Sequence, residues 1–102
     1  MSKEKAGRQL THGELEQVAS HFRLLGEPMR LRILQSLCRG QRTVGEIVQA
    51  TGATQANISR HLALLAAAEI LTRQKDGQCV YYGLKDELTL KMCDLVHRHL
   101  RE

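Results

Sequence analysis

A mainly α-helical domain with one small β-hairpin is predicted by three features of this 102-residue sequence. Apolar residues recur at the three- and four-residue spacing of a helix face over most of the chain. After residue 70 the pattern changes to strand alternation, interrupted by an Asp-Gly pair. Aromatic residues make up only 3%, so the core has to be aliphatic. We expect residues 1–11, which are polar, to be a mobile tail, and residues 12–102 to form a single domain.

Two helices are predicted in the first part of this domain. The first begins near Gly13 and ends at Gly26, and its apolar face is formed by Leu15, Val18, Ala19, Phe22 and Leu25. Pro28 begins the second helix, where its missing N–H costs no hydrogen bond. The pair Arg39-Gly40 is typical of a helix end, and the second helix is expected to reach it.

Two short helices joined by a glycine-containing turn follow. Thr43 and Glu46 have the T-x-x-E spacing of a capping box, which predicts the start of the third helix. Gly52 ends that helix, and Thr54 is placed to cap a fourth. The inward-facing residues of the fourth helix are predicted to be Ile58, Leu62 and Leu65. Such a pair is typical of a helix-turn-helix unit.

A hairpin and a last helix complete the pattern. The strands are predicted over residues 70–74 and 78–84, with Lys75-Asp76-Gly77 as the turn between them. The last helix begins near Asp86 and carries two adjacent apolar stripes, formed by Leu88, Met92 and Leu95 and by Leu90, Cys93, Val96 and Leu100. A helix this apolar needs a partner surface, so we expect it to form a dimer interface with the first helix. The order of elements predicts a dimeric winged helix-turn-helix domain.

The fourth helix has residues suited to reading DNA. In helix-turn-helix proteins the amino-terminal residues of this helix meet base edges, where Gln pairs with adenine and Arg with guanine. A net charge of +4 favours a polyanionic partner mildly. The residues predicted to contact DNA lie in this helix, at its cap and at the hairpin turn: Thr54, Gln55, Ala56, Asn57, Ser59, Arg60, His61, Lys75 and Gln78.

The chain resembles the arsenic-repressor (ArsR/SmtB) family of bacterial metal and thiol sensors. The resemblance is carried by LGEPMRLRIL, by TVGEIVQATGATQANISRHLALL and by EILTRQKDGQCVYYGL, and extends from about residue 15 to about residue 100. It implies a homodimer joined through the first and last helices. It also implies repression of transcription until an effector binds. The two-fold symmetry of such a dimer predicts a palindromic double-stranded DNA operator.

The resemblance implies several effector sites, and two metal sites can be compared with this sequence. A Cys-x-Cys at the start of the third helix is replaced here by Thr43-Val44-Gly45, so arsenic or cadmium sensing there is not expected. A zinc site between the last helices would retain Asp86, His99 and Glu102, but Leu88 replaces a histidine. Zinc prefers about four ligands. We therefore predict no metal and no cofactor.

Thiol chemistry, by oxidation or persulfide formation, is the favoured effector. The candidate sensors are Cys38, Cys79 and Cys93. The family includes sensors with one cysteine in the second helix and one in the last, and Cys38 and Cys93 lie in those helices, although not at the expected positions. The alternative for this pair is burial as small hydrophobic residues. Cys79 is expected to be exposed on the hairpin.

Other function classes have less support. No Gly-rich phosphate loop, nucleophile elbow or catalytic spacing of His, Cys and carboxylate residues occurs, so an enzyme is not predicted. No signal region or membrane-spanning run is found, and the protein is expected to be cytoplasmic. Two alternatives stay open: a winged helix that binds another protein, and a family repressor without an effector site.

Overall fold

The computed structural model describes residues 9–102, so the first eight residues of the predicted tail lie outside the described part of the chain. Within it, five helices and a three-stranded sheet confirm the predicted mainly helical class. The elements are α1 (His12–Leu25), α2 (Pro28–Ser36), β1 (Arg42–Thr43), α3 (Val44–Thr51), α4 (Gln55–Ala67), β2 (Leu71–Asp76), β3 (Cys79–Leu84) and α5 (Leu88–Arg101).

Threonine side chains cap the beginnings of three of the helices. Thr43 Oγ1 accepts the N–H of Glu46 at 3.2 Å, and the Glu46 carboxylate accepts the N–H of Thr43 at 2.9 Å. This is the predicted capping box of α3, and Thr11 forms a second one at the start of α1. Thr54 caps α4 by accepting the N–H of Asn57 at 3.2 Å. Each cap provides an acceptor for an N–H that has no partner inside its helix.

The helix α2 ends at Ser36, three residues before the predicted end. Beyond it the N–H of Leu37 donates to Leu34 O and the N–H of Cys38 to Gln35 O, both at 3.1 Å. This three-residue spacing tightens the chain into a turn, which keeps the Leu37 side chain in the core. Cys38 consequently lies in the turn after α2 and not in the helix, which corrects the prediction.

The three strands form an antiparallel sheet in the order β1-β3-β2. Asp76 pairs with Cys79, so the hairpin loop is Gly77-Gln78, and Lys75 belongs to β2 rather than to the turn. Gly77 has φ +65°, a left-handed conformation that suits glycine in a two-residue loop. The strand β1 was not predicted, because two residues are too few to show alternation; it pairs Arg42 with Tyr82.

The core lies where α2, α3, α4 and the sheet meet. Its largest fully buried side chains are Ile33, Leu34, Ile47, Ile58, Leu62 and Leu65. The three predicted inward residues of α4 are therefore confirmed. By contrast, α1 and α5 pack against α2 and each contributes a single buried residue, Leu25 and Thr89 respectively.

Candidate nucleic-acid interface

The amino-terminal half of α4 presents polar side chains to solvent. Its opposite face is held in the core, so the outward direction of the exposed residues is fixed by packing. Of the residues predicted to contact DNA here, Asn57 is half-buried and the exposed ones are Thr54, Gln55, Ala56, Ser59 and Arg60. This surface offers hydrogen-bond donors and acceptors on a rigid element, with a small residue that permits close approach.

Arg60 has a defined orientation on this surface. Its Nη2 donates to Asn57 Oδ1 at 2.7 Å, across the i,i+3 spacing of neighbouring residues on a helix. A guanidinium has five N–H donors, so the other donors of Arg60 are available to a ligand. Asn57 therefore orients the guanidinium of Arg60, although its own side chain is only partly accessible.

The hairpin adds further exposed polar residues. Lys75 lies near the end of β2 and Gln78 in the loop, both exposed as predicted. Arg73, which the sequence reasoning missed, is also exposed, and its Nε donates to Tyr82 Oη at 3.3 Å. Because side chains two residues apart in a strand share a face, Arg73 and Lys75 lie on the same face of β2. That spacing was readable from the sequence.

The prediction that His61 contacts DNA is wrong. Its side chain is only 7% exposed, and its Nδ1 accepts a hydrogen bond from Arg30 Nε at 3.1 Å. His61 follows Ile58 by three residues and precedes Leu65 by four, so helical geometry puts it on the buried face. The residue is removed from the predicted contact set.

Two of the three free cysteines line one groove. Cys38 is exposed and Cys93 is half-buried, and both border an open groove of about 550 Å³ between α2 and α5, together with Gln35, Asp94 and His97. The alternative that Cys38 is buried is therefore wrong. Cys79 is exposed on β3, as expected. The pKa of Tyr81 is raised, chiefly by its electrostatic interaction with the neighbouring Cys79 side chain.

The residues of the incomplete zinc site, Asp86, His99 and Glu102, lie at opposite ends of α5. Asp86 Oδ1 accepts the N–H of Leu88 at 2.9 Å, next to the start of the helix. His99 follows Asp86 by 13 residues, which is roughly 20 Å along a helix axis, and Glu102 lies just beyond the last turn. One chain cannot bring Asp86 and His99 onto a single ion. Among residues 9–102 no three His, Cys, Asp or Glu side chains are grouped so that they could hold a metal.

The described residues include no helix that is both long enough and apolar enough to span a bilayer.

Known proteins resemble this chain in sequence. Residues 27–73 match the model of a family described as "Bacterial regulatory protein, arsR family". The arsenical resistance operon repressor of Bacillus subtilis (strain 168) is 34% identical over 74 residues, which cover 72% of this chain and 70% of that protein. The nodulation protein NolR of Rhizobium meliloti is 31% identical over 81 residues, which cover 79% of this chain and 66% of that protein.

A solved structure resembles the fold over the whole chain. The homodimeric winged helix-turn-helix DNA-binding domain of Mb0332 from Mycobacterium bovis, described as a possible ArsR-family transcriptional regulator, superposes with a TM-score of 0.75 at 29% identity. The match covers 100% of this chain and 89% of that one. The fold is thus a winged helix-turn-helix. The chain spans 53% to 70% of the length of the curated relatives that it matches.

Proposed function

Because the chain belongs to the arsR family of bacterial regulatory proteins, we propose that it represses transcription by binding operator DNA sequence-specifically as a homodimer. The observation that supports this most directly is α4, whose buried face fixes the direction of an exposed polar amino-terminal half. The family consists of regulators, so the chain is not an enzyme. Its action on an operator would take place in the bacterial cytoplasm.

In the proposed complex α4 enters the major groove by its amino-terminal end. Gln55 and Arg60 are exposed and carry the amide and guanidinium groups that pair with adenine and guanine edges. The hydroxyls of Thr54 and Ser59 suit phosphate oxygens, which position the protein without reading sequence. Ala56 lets the helix approach the bases closely.

The hairpin supplies the remaining contacts. Lys75 and Arg73 share a face of β2 and are exposed, so either cation can neutralise a phosphate beside the major groove. Gln78 lies in the loop between the strands, where its side chain is exposed. These contacts contribute affinity that depends on salt, whereas α4 contributes the sequence preference.

Homodimerisation through α1 and α5 is supported by exposed apolar side chains. All but one of the large exposed hydrophobic residues of the described chain lie on these two helices: Leu15, Val18, Phe22, Leu88, Leu95, Val96 and Leu100. Soluble monomers rarely expose large contiguous apolar patches. The Mycobacterium bovis relative is described as homodimeric. A two-fold dimer would place its reading helices about 34–36 Å apart, to fit a palindromic operator.

A titration with DNA from the protein's own promoter tests this function. The control is a duplex of the same length and composition with a scrambled sequence. We expect the promoter to bind at least about 10³-fold more tightly at physiological salt, as specific sites do. Equal affinity for both duplexes would contradict the proposal and favour the alternative, a winged helix that binds another protein.

Release by thiol chemistry is the proposed regulation. Cys38 and Cys93 line the same groove, so oxidation of both would connect the turn after α2 to α5. In that step hydrogen peroxide takes two electrons and two protons from the two thiols, so that two S–H bonds and the O–O bond break, one S–S bond forms and two water molecules leave. A disulfide requires Cα atoms within about 7 Å, so the step demands a close approach of the two elements.

Mass spectrometry of the native protein treated with hydrogen peroxide tests this regulation. We expect a product two mass units lighter and weaker operator binding, both reversed by a dithiol. Cys38→Ser and Cys93→Ser should abolish the effect, and Cys79→Ser is the matched control. If Cys79→Ser alone abolishes release, the sensor is the hairpin thiol. If zinc releases the DNA and a chelator restores binding, the effector is a metal.

A further inference from the structure

Arg30 connects three helices through its guanidinium. Its Nη1 donates to Leu24 O in the last turn of α1 at 2.9 Å, and its Nε donates to His61 Nδ1 in α4 at 3.1 Å. Arg30 itself belongs to α2, and its N–H donates to the carboxylate of Glu27 at 3.0 Å. Carbonyls in the last turn of a helix have no partner inside it, so Arg30 also satisfies the end of α1.

The hydrogen bond from Arg30 to His61 restricts the rotation of α4 about its axis, which apolar packing leaves free. Ile58, Leu62 and Leu65 hold α4 in the core by contacts that have no direction, and such contacts tolerate small rotations of a helix. A hydrogen bond restricts distance and angle together.

We propose that Arg30 is a positioning residue, which fixes the orientation of α4 through His61 and so determines how well the protein distinguishes its operator from other DNA. This inference rests on the DNA-binding function proposed above. His61 is adjacent in sequence to Arg60, the exposed cation of the reading surface, and lies about 100° from it around the helix, on the buried side. A small rotation of α4 about its axis would move Arg60 relative to the base edges.

Specific and non-specific binding respond differently to such a rotation. Phosphate contacts tolerate displacement, because they are largely electrostatic and carry no sequence information. Bidentate contacts to bases require donors to be held within about 0.5 Å. Loss of the Arg30–His61 bond should therefore reduce operator affinity while leaving affinity for other DNA nearly unchanged. A purely structural role would reduce both together.

Three variants test the proposal by titration of operator and scrambled duplex at one salt concentration. His61→Phe keeps a ring but removes the acceptor, and Arg30→Lys keeps the charge but removes the Nε donor. We expect each to weaken operator binding about 10- to 100-fold and to change scrambled-duplex binding by less than about threefold. His61→Asn is the matched control, since its Oδ1 can accept near the position of Nδ1, and should retain most of the preference.

A double variant and a folding check complete the test. Arg30→Lys/His61→Phe should be no weaker on the operator than Arg30→Lys alone, because His61→Phe removes only a bond that Arg30→Lys has already removed. Urea unfolding shows whether each variant is folded. If His61→Phe does not fold, the operator preference of Arg30→Lys compared with that of His61→Asn tests the proposal. The proposal is overturned if operator binding is unchanged in Arg30→Lys, or if both duplexes are weakened equally. A wild-type protein without operator preference refutes the DNA-binding function itself, and the wild-type titration alone shows this.

Discussion

Arg60 is the individual side chain on which operator affinity should depend most. It is exposed near the start of α4 and is oriented by its 2.7 Å bond to Asn57. We expect Arg60→Ala to weaken operator binding by about 1–3 kcal/mol, the usual value of one bidentate contact to a base. The measurement is a titration at fixed salt, with Lys91→Ala on α5 as a control that also removes one positive charge. Equal effects of the two substitutions would assign Arg60 a general electrostatic role only.

The three thiols should differ in their rate of alkylation. Cys38 and Cys79 are exposed, whereas Cys93 is half-buried in the groove between α2 and α5. Since reagent access limits reaction of a shielded thiol, we expect Cys79 and Cys38 to react with iodoacetamide before Cys93. Peptide-resolved mass spectrometry of the native protein over time measures this order. A faster reaction at Cys93 would show that the groove activates its thiol.

Which side chains of α4 are exposed could be predicted from the sequence only in part. The exposed set on α4 was correct for Gln55, Ser59 and Arg60, because helical period and apolar spacing determine which face is outward. His61 was misplaced by overlooking the same period, which puts it between Ile58 and Leu65. Its partner Arg30 could not be inferred, since their 31-residue separation in sequence is closed only by the tertiary fold.

The capping box of α3 should contribute measurably to the stability of the element that precedes α4. Thr43→Ala removes the hydroxyl that accepts the N–H of Glu46. We expect it to lower the free energy of unfolding by about 1 kcal/mol, as removal of an N-cap usually does. Urea denaturation measures the change. Ser59→Ala, which removes an exposed hydroxyl within α4, is the control and should have almost no effect; a similar loss in both variants would mean that the cap is unimportant.

Elements with strong local signals were predictable, and elements determined by distant packing were not. The capping box at Thr43, the cap residue Thr54 and Gly52 gave the beginnings of α3 and α4, because caps are local hydrogen bonds. The strand β1 escaped prediction, since its two residues are extended only by pairing with β3. The early end of α2 likewise depends on Leu37, which is drawn into a core that sequence alone does not position.

For the whole molecule, the unusual feature is how unevenly apolar surface is distributed. The helices around α4 bury their large side chains, whereas α1 and α5 leave theirs in solvent. The sequence indicated a partner surface through the two apolar stripes of the last helix. It could not show that these side chains stay uncovered within one chain, because that depends on how few contacts α5 makes with α2.

Dimerisation and operator binding should be lost together when the apolar face of α5 is charged. Leu95 is 64% exposed on that face, and Leu95→Glu would put a carboxylate into the proposed interface. We expect the wild-type protein to sediment as a dimer at micromolar concentration and the variant as a monomer. Operator affinity should fall about 10²–10⁴-fold, because a monomer engages one half-site without the second.

The matched control for this prediction is Lys91→Glu. It also adds negative charge to α5, but replaces a side chain that pairs with Glu87 and is already polar and exposed. The control should remain dimeric. A wild-type monomer at micromolar concentration would refute the dimer. A Leu95→Glu variant that stays dimeric with full operator affinity would show that the interface does not include this face of α5. If instead the variant is monomeric but binds the operator undiminished, each α4 reads its site alone and the palindromic arrangement is wrong.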